Sequence, residues 1–323
     1  MLSSRRALAG LLALLWLATG LGGACVYVHR YTLYRGFATP HTPAGVHRGR
    51  IEDVAFTSHL VTRGTRYLVY LPPRYDAAAA RGKRFPVLYL LHGYPGNYRV
   101  FVNVANTTVD ADVLLARHRI HPMIIVMPAG DQGTLRGDTE WANTPAGRWM
   151  DFIVEVVHDV DRRFATIPDR AHRVLAGDSE GAYGAVNVAL HHLRLFGGLQ
   201  SWGGYFTQEP TGPFRGATFA DLRANSPAAY VGGLAPAIRR LGLRAWLYQG
   251  RSDRADPARM YSFAAALRRA GAAVHVRMFA GGHDWGLFRA QMPRMLVAAS
   301  RWFAHPVGRR ARPARTRTAA SRG

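Results

Sequence analysis

The sequence predicts an α/β protein, with a mostly parallel central sheet flanked by helices. Three observations point there. Apolar runs of strand length recur at 86–91, 173–176, 244–249 and 273–279. Helical segments at 149–164, 182–195 and 257–269 alternate with them, as parallel strands joined by crossovers require. Gly-rich turns follow several of the strands. Of the 323 residues, about 250 suit one domain of this class. No internal repeat is visible at solenoid periods.

Taken in order, the chain starts with Arg5-Arg6 ahead of an apolar run, 7–28, that contains no charge. A bilayer is crossed by about 20 such residues, and basic residues in front place that end in the cytoplasm. An uncleaved anchor, a cleaved secretory signal and a twin-arginine signal on Ser4-Arg5-Arg6 all fit. Lipoprotein processing at Cys25 fits less well, because Gly22 sits where a lipobox wants Leu. The length of the run favours an anchor, and every option exports the rest, to the cell membrane or beyond it. The expected division is a signal or anchor at 1–30, a linker at 31–49, the domain at 50–305 and a tail at 306–323.

The run 86–91 is continuously apolar, as a strand buried on both faces should be. It ends in His92-Gly93-Tyr94-Pro95-Gly96, a loop able to turn a backbone amide inward. His92 reads either as a base or, preferably, as a loop anchor bonded to backbone. The stretch 131–148, with Trp141, reads as a loop near a site mouth. The stretch 202–227 reads as a cap or substrate-lining insertion. Ordinary packing accounts nearly as well for the aromatics in both.

The run from Arg173 leads into Gly177-Asp178-Ser179-Glu180-Gly181 and then a small-residue helix. A serine hydroxyl needs a base to activate it and a backbone that exposes it. A sharp strand-to-helix turn exposes Ser179, and small residues at 177 and 181 let strand and helix close up. This predicts a serine nucleophile on an α/β-hydrolase scaffold. An acid and a histidine should then follow, each just past a strand end. The strand 244–249 runs into Gly250-Arg251-Ser252-Asp253, and the strand 273–279 into Gly281-Gly282-His283. His283 is the expected base, and Asp253 the acid that orients it. Asp256 is the alternative acid, and Asp284 is read as structural. The backbone amides of Tyr94 and Glu180 are the expected oxyanion-hole donors.

These landmarks resemble the putative esterase family of α/β hydrolases, which includes esterase D-like enzymes, feruloyl esterases, enterochelin esterases and secreted mycolyltransferases. The matching stretches are Tyr-Leu-Val-Tyr-Leu-Pro-Pro (67–73), Val-Leu-Tyr-Leu-Leu-His-Gly (87–93), Met-Pro-Ala-Gly-Asp (127–131), Gly-Asp-Ser-Glu-Gly (177–181), Gly-Arg-Ser-Asp (250–253) and Gly-Gly-His-Asp-Trp (281–285). The resemblance implies that Ser179, Asp253 and His283 form a triad, with the Tyr94 and Glu180 amides completing the site. Together with the N-terminal segment, it implies an exported serine esterase. Alternatives are an acyltransferase moving the acyl group to a sugar or lipid hydroxyl, and a non-catalytic protein binding envelope components. The chain departs from the family pattern at Glu180, where an apolar residue is usual, and at Ala182, where a second glycine is usual. A carboxylate beside the nucleophile opposes an oxyanion unless it points away or is neutralised, and Asp178 adds another.

Cys25 is the single cysteine, so no internal disulfide forms. The histidines fall at no metal-binding spacing, His191-His192 reads as a helix end, and no cofactor is expected. The net charge is +22, and of 42 basic residues only Lys83 is a lysine. The Arg-rich tail has a disordering composition. It would suit anionic lipid or cell-wall polymer, or simply solvent. No nucleic-acid module is recognisable, so the expected partners are a small-molecule or lipid ester and the membrane.

Overall fold

The computed structural model describes residues 2–61, 65–130, 137–254 and 256–305, with side chains from residue 10 onward. The Arg-rich tail and positions 131–136 of the mouth loop lie outside the described residues.

Eight strands form one sheet. They are β1 (Arg50–Ala55), β2 (Arg66–Leu71), β3 (Val87–Leu91), β4 (Ile124–Pro128), β7 (Arg173–Asp178), β8 (Gly198–Trp202), β9 (Arg244–Gly250) and β10 (Ala273–Phe279). Between β4 and β7 a two-residue hairpin, β5 (Asn143–Thr144) and β6 (Gly147–Arg148), stands apart from the sheet. The sheet order is β1-β2-β4-β3-β7-β8-β9-β10. Within this sheet β2 pairs antiparallel with both β1 and β4, and every other pairing in it is parallel.

Alternation along the strands builds two cores, one on each face. In β3, Val87, Tyr89 and Leu91 join one core and Leu88 and Leu90 the other. The helix Trp149–Arg163 covers the first face through Phe152, Ile153, Val156 and Val160. The helix Trp285–Ala304 covers the second through Met292, Met295, Leu296 and Trp302. Strand β8 and this last helix were not anticipated from sequence. The run 198–202 carries Gln200 and Ser201, which mask its strand character. Both are buried, and Gln200 donates to the Met295 carbonyl at 3.1 Å.

At the N-terminus one helix spans Leu2–Tyr34. Its segment Gly10–Tyr34, 25 residues of mean hydropathy 1.9, is exposed until its last turn, where Leu33 and Tyr34 are half-buried. It outruns the expected boundary at 30. Parts of the expected linker, 31–49, lie against the domain. Phe37 packs on the second core, Thr42 is buried, and the Gly49 amide donates to Asp112 Oδ1 at 2.8 Å.

Candidate active site

Four of the sheet's strands deliver the site at their C-terminal ends. At the end of β7 the chain passes from Asp178 into the helix Glu180–His191 with Ser179 at φ +53°, ψ −120°. A non-glycine residue there carries strain of about 1–3 kcal/mol. Close packing holds the turn. A Cβ on Gly177 would come within 2.4 Å of the Gly181 carbonyl oxygen, and one on Gly181 within 2.0 Å of the Leu91 oxygen. The Ser179 amide donates to the Trp202 carbonyl at 3.0 Å, tying the turn to the end of β8.

Turns after β9 and β10 bring Asp253 and His283 to the same place. His283 Nε2 lies 2.8 Å from Ser179 Oγ, and its Nδ1 lies 2.9 Å from Asp253 Oδ2. The Asp253 side chain is 4% exposed and that of His283 36%. The carboxylate is thus shielded while the ring still meets the cleft. Phe288 supports that ring edge-on at 5.5 Å. Gly250 admits the 281–282 backbone, whose carbonyl oxygens lie 2.5 Å from where its Cβ would be. Asp256, the alternative acid, is placed elsewhere. It caps the helix Pro257–Ala270 by accepting from the Ala258 amide at 2.8 Å. Asp284 caps the last helix through the Leu287 amide at 2.9 Å.

Glu180 opens its helix, so its amide has no carbonyl one turn back to bond. The loop 92–94 lies against the same turn, since a Cβ on Gly93 would meet Ser179 Cβ at 2.9 Å. His92 anchors that loop. It is buried, accepts from the Gly130 amide at Nε2 (3.1 Å) and faces the Gly93 carbonyl at Nδ1 (3.1 Å). Burial lowers its pKa to about 4, so the ring stays neutral. The Trp141 indole donates to the His92 carbonyl at 3.0 Å and is fully buried, so this aromatic packs rather than faces a substrate. His191 ends its helix, with Nδ1 2.9 Å from the Asn187 carbonyl.

Four carboxyl groups surround the nucleophile turn. Glu180 is buried and its Oε1 accepts from the amide and hydroxyl of Thr139, both at 3.2 Å. Its Oε2 meets no hydrogen-bond partner among the described residues. Burial, then the nearby Glu140 and Asp138, hold its pKa well above the usual carboxylate range. Glu140 accepts from the Tyr205 hydroxyl and from Gln208, yet burial raises it to about 7. Asp138 is raised by burial as well. Burial likewise raises Asp178 to about 7, against the Gly93 amide, its own amide and Arg35, which all pull the other way. Burial thus favours the neutral form of Glu180, and a neutral neighbour does not oppose an oxyanion.

Sequence reasoning missed the Trp202 carbonyl, Gly203 and the Asp138–Glu140 contribution. Gly203, at φ +66°, passes so close that a Cβ would meet His283 Nδ1 at 2.9 Å. The pair Gly203-Gly204 after a strand was a usable signal. The acidic cluster had none, because it is assembled from separate loops.

A mostly parallel sheet in this order, with a strained serine turn at the end of a central strand, defines the α/β hydrolases. Residues 58–299 match the family described as "Putative esterase", and the chain belongs to that family. It is 31% identical over 175 residues to the endo-1,4-beta-xylanase/feruloyl esterase of Xylanibacter ruminicola, a match covering 52% of this chain and 24% of that protein. The matches span about a quarter of the length of the curated relatives. Among solved structures, a ferulic acid esterase superposes with a TM-score of 0.68 at 23% identity, covering 80% of this chain and 99% of that one. An S-formylglutathione hydrolase from Agrobacterium tumefaciens does so with a TM-score of 0.65 at 14% identity, covering 83% and 100%. At those identities the likeness is one of fold.

Proposed function

We propose that the chain is an exported serine hydrolase of carboxylic esters, working through an acyl-enzyme. The observation that carries this reading is the pair of hydrogen bonds on His283, 2.8 Å to Ser179 Oγ and 2.9 Å to Asp253. With Nδ1–H donated to Asp253, Nε2 is left as the acceptor for the Ser179 hydroxyl proton. Ser179 Oγ then bonds to the ester carbonyl carbon as that proton passes to Nε2, and Asp253 stabilises the imidazolium. The carbonyl oxygen becomes an oxyanion held by the Glu180 and Tyr94 amides. Collapse breaks the bond to the alcohol oxygen, which leaves with the proton from Nε2. Water repeats the cycle on the acyl-enzyme, releasing the acid and free Ser179.

The helix Leu2–Tyr34 supports export and anchoring, with the domain from about residue 50 to 305 outside the membrane. A fluorophosphonate probe should label the folded full chain at Ser179 and not the Ser179→Ala protein. Absence of labelling in folded protein would sink the reading. Acyl transfer outrunning hydrolysis in the presence of sugar acceptors would redirect it to an acyltransferase.

A further inference from the structure

The apolar helix does not leave the domain on a free tether. It stops at Tyr34, where Arg35 (φ +49°) and Gly36 (φ +84°) turn the chain. Arg35 Nη2 then donates to the Pro95 carbonyl at 2.7 Å, and its charge reaches Asp178. Pro95 follows Tyr94, and Asp178 precedes Ser179. Phe37 packs on the domain, with the Arg289 guanidinium 5.2 Å over its ring. The helix itself touches the short helix Val100–Asn103, just past the same loop. Within three residues of its end, the helix is therefore fastened to the loop beside the nucleophile.

Depth follows from length. Twenty-five helical residues span about 37 Å at about 1.5 Å each, against a hydrocarbon core of about 30 Å. The surplus puts the last turns in the head-group layer. Those turns carry His29, Arg30, Tyr31 and Tyr34, the amphipathic and basic residues that settle there. Residues 35–37 follow at once, so the 93–96 loop starts at that depth. Tyr94 is exposed on it.

We infer that the bilayer presents the substrate: the site takes the ester of a membrane-resident acyl lipid, whose ester group lies at the boundary between head groups and chains. This rests on the Ser179 reading and on the helix spanning the membrane. A flexible tether would leave the domain free to tumble. The fastening at Arg35 and Phe37 holds the cleft mouth against the layer where such esters lie, raising both their effective concentration and their alignment.

The test uses the full chain in phosphatidylcholine–phosphatidylglycerol vesicles carrying a fluorogenic diacylglycerol ester, with p-nitrophenyl acetate as the soluble comparison. A 20-residue Gly-Ser insertion between Tyr34 and Arg35 unties the helix and keeps the contacts of Arg35 and Phe37 with the domain. Turnover of the vesicle ester should fall about tenfold or more as orientation is lost, while turnover of the soluble ester stays within about twofold. Undiminished vesicle turnover with the soluble activity intact would overturn the inference and leave the serine reading standing. Equal loss on both esters, or a mature protein lacking the helix, would also overturn it. No cleavage of either ester and no fluorophosphonate labelling would instead remove the serine reading on which it rests.

Discussion

At Asp253 the carboxylate is shielded and 2.9 Å from His283 Nδ1, whereas Asp256, three residues on, accepts from a backbone amide at a helix start. The two should respond differently to loss of charge. Asp253→Asn should cost about four orders of magnitude in kcat, by presenting the wrong tautomer of His283. Asp256→Asn should keep activity, with a stability change within about 1 kcal/mol, because Asn caps as well as Asp. Steady-state kinetics and thermal melts on both proteins decide this, and an inactive Asp256→Asn would reverse the assignment. The strain at Ser179 is testable at the same scale. Ser179→Gly should melt higher than Ser179→Ala by an amount equivalent to about 1 kcal/mol, since only glycine takes φ +53° freely. Equal melting points would mean that the turn stores no strain.

The elements around the turn are set by how closely two of them approach. Strand β3 and the helix Glu180–His191 meet where Gly181 stands, with 2.0 Å between an added Cβ and the Leu91 oxygen. Gly181→Ala should therefore push helix from strand and destabilise the protein by about 3 kcal/mol, read by chemical denaturation. Gly203→Ala acts on the neighbouring loop after β8, where a Cβ would press on the His283 ring. It should lower kcat by more than about tenfold, because small misplacements of a reacting group are costly. Unchanged kcat would show that the loop can yield.

Across the whole molecule, buried titratable groups tie stability to pH in opposite directions. Asp178 and Glu140 rise from 3.8 and 4.5 to about 7, so the folded state holds their protons more tightly. Their contribution is full at low pH and is lost as pH climbs through about 7. His92 drops from 6.5 to about 4, so its contribution is full above 6.5 and is lost as pH falls towards 4. Above pH 6.5 only the carboxyl effect remains. The melting temperature should therefore decline from pH 6.5 to 8, and the double variant Glu140→Gln, Asp178→Asn should flatten that decline. A wild-type melting temperature that rises over this interval would contradict the assignment.

The positions of Ser179, Asp253 and His283 were legible because each lies within a few residues of an apolar run and a glycine turn. Those signals are local and need no knowledge of the rest of the chain. The α/β class was legible for the same reason, since strand and helix periods repeat along the sequence. Which strands are neighbours was not, and the preference for Asp253 over Asp256 rested only on nearness to a strand end, whereas the contact itself depends on a histidine 30 residues from Asp253. The charge of Glu180 was hidden too, because burial and carboxyls some 40 residues upstream decide it. The 31–49 stretch looked like a linker because its polar, Gly- and Pro-containing composition shows no period, yet it is fastened by contacts to Pro95, Asp112 and Arg289. Local chemistry thus determined the fold class and the candidate nucleophile, base and acid. Packing between distant segments decided their geometry, the protonation of the carboxyls around the nucleophile turn and the way the site faces the N-terminal helix, because burial and alignment exist only once the chain has folded.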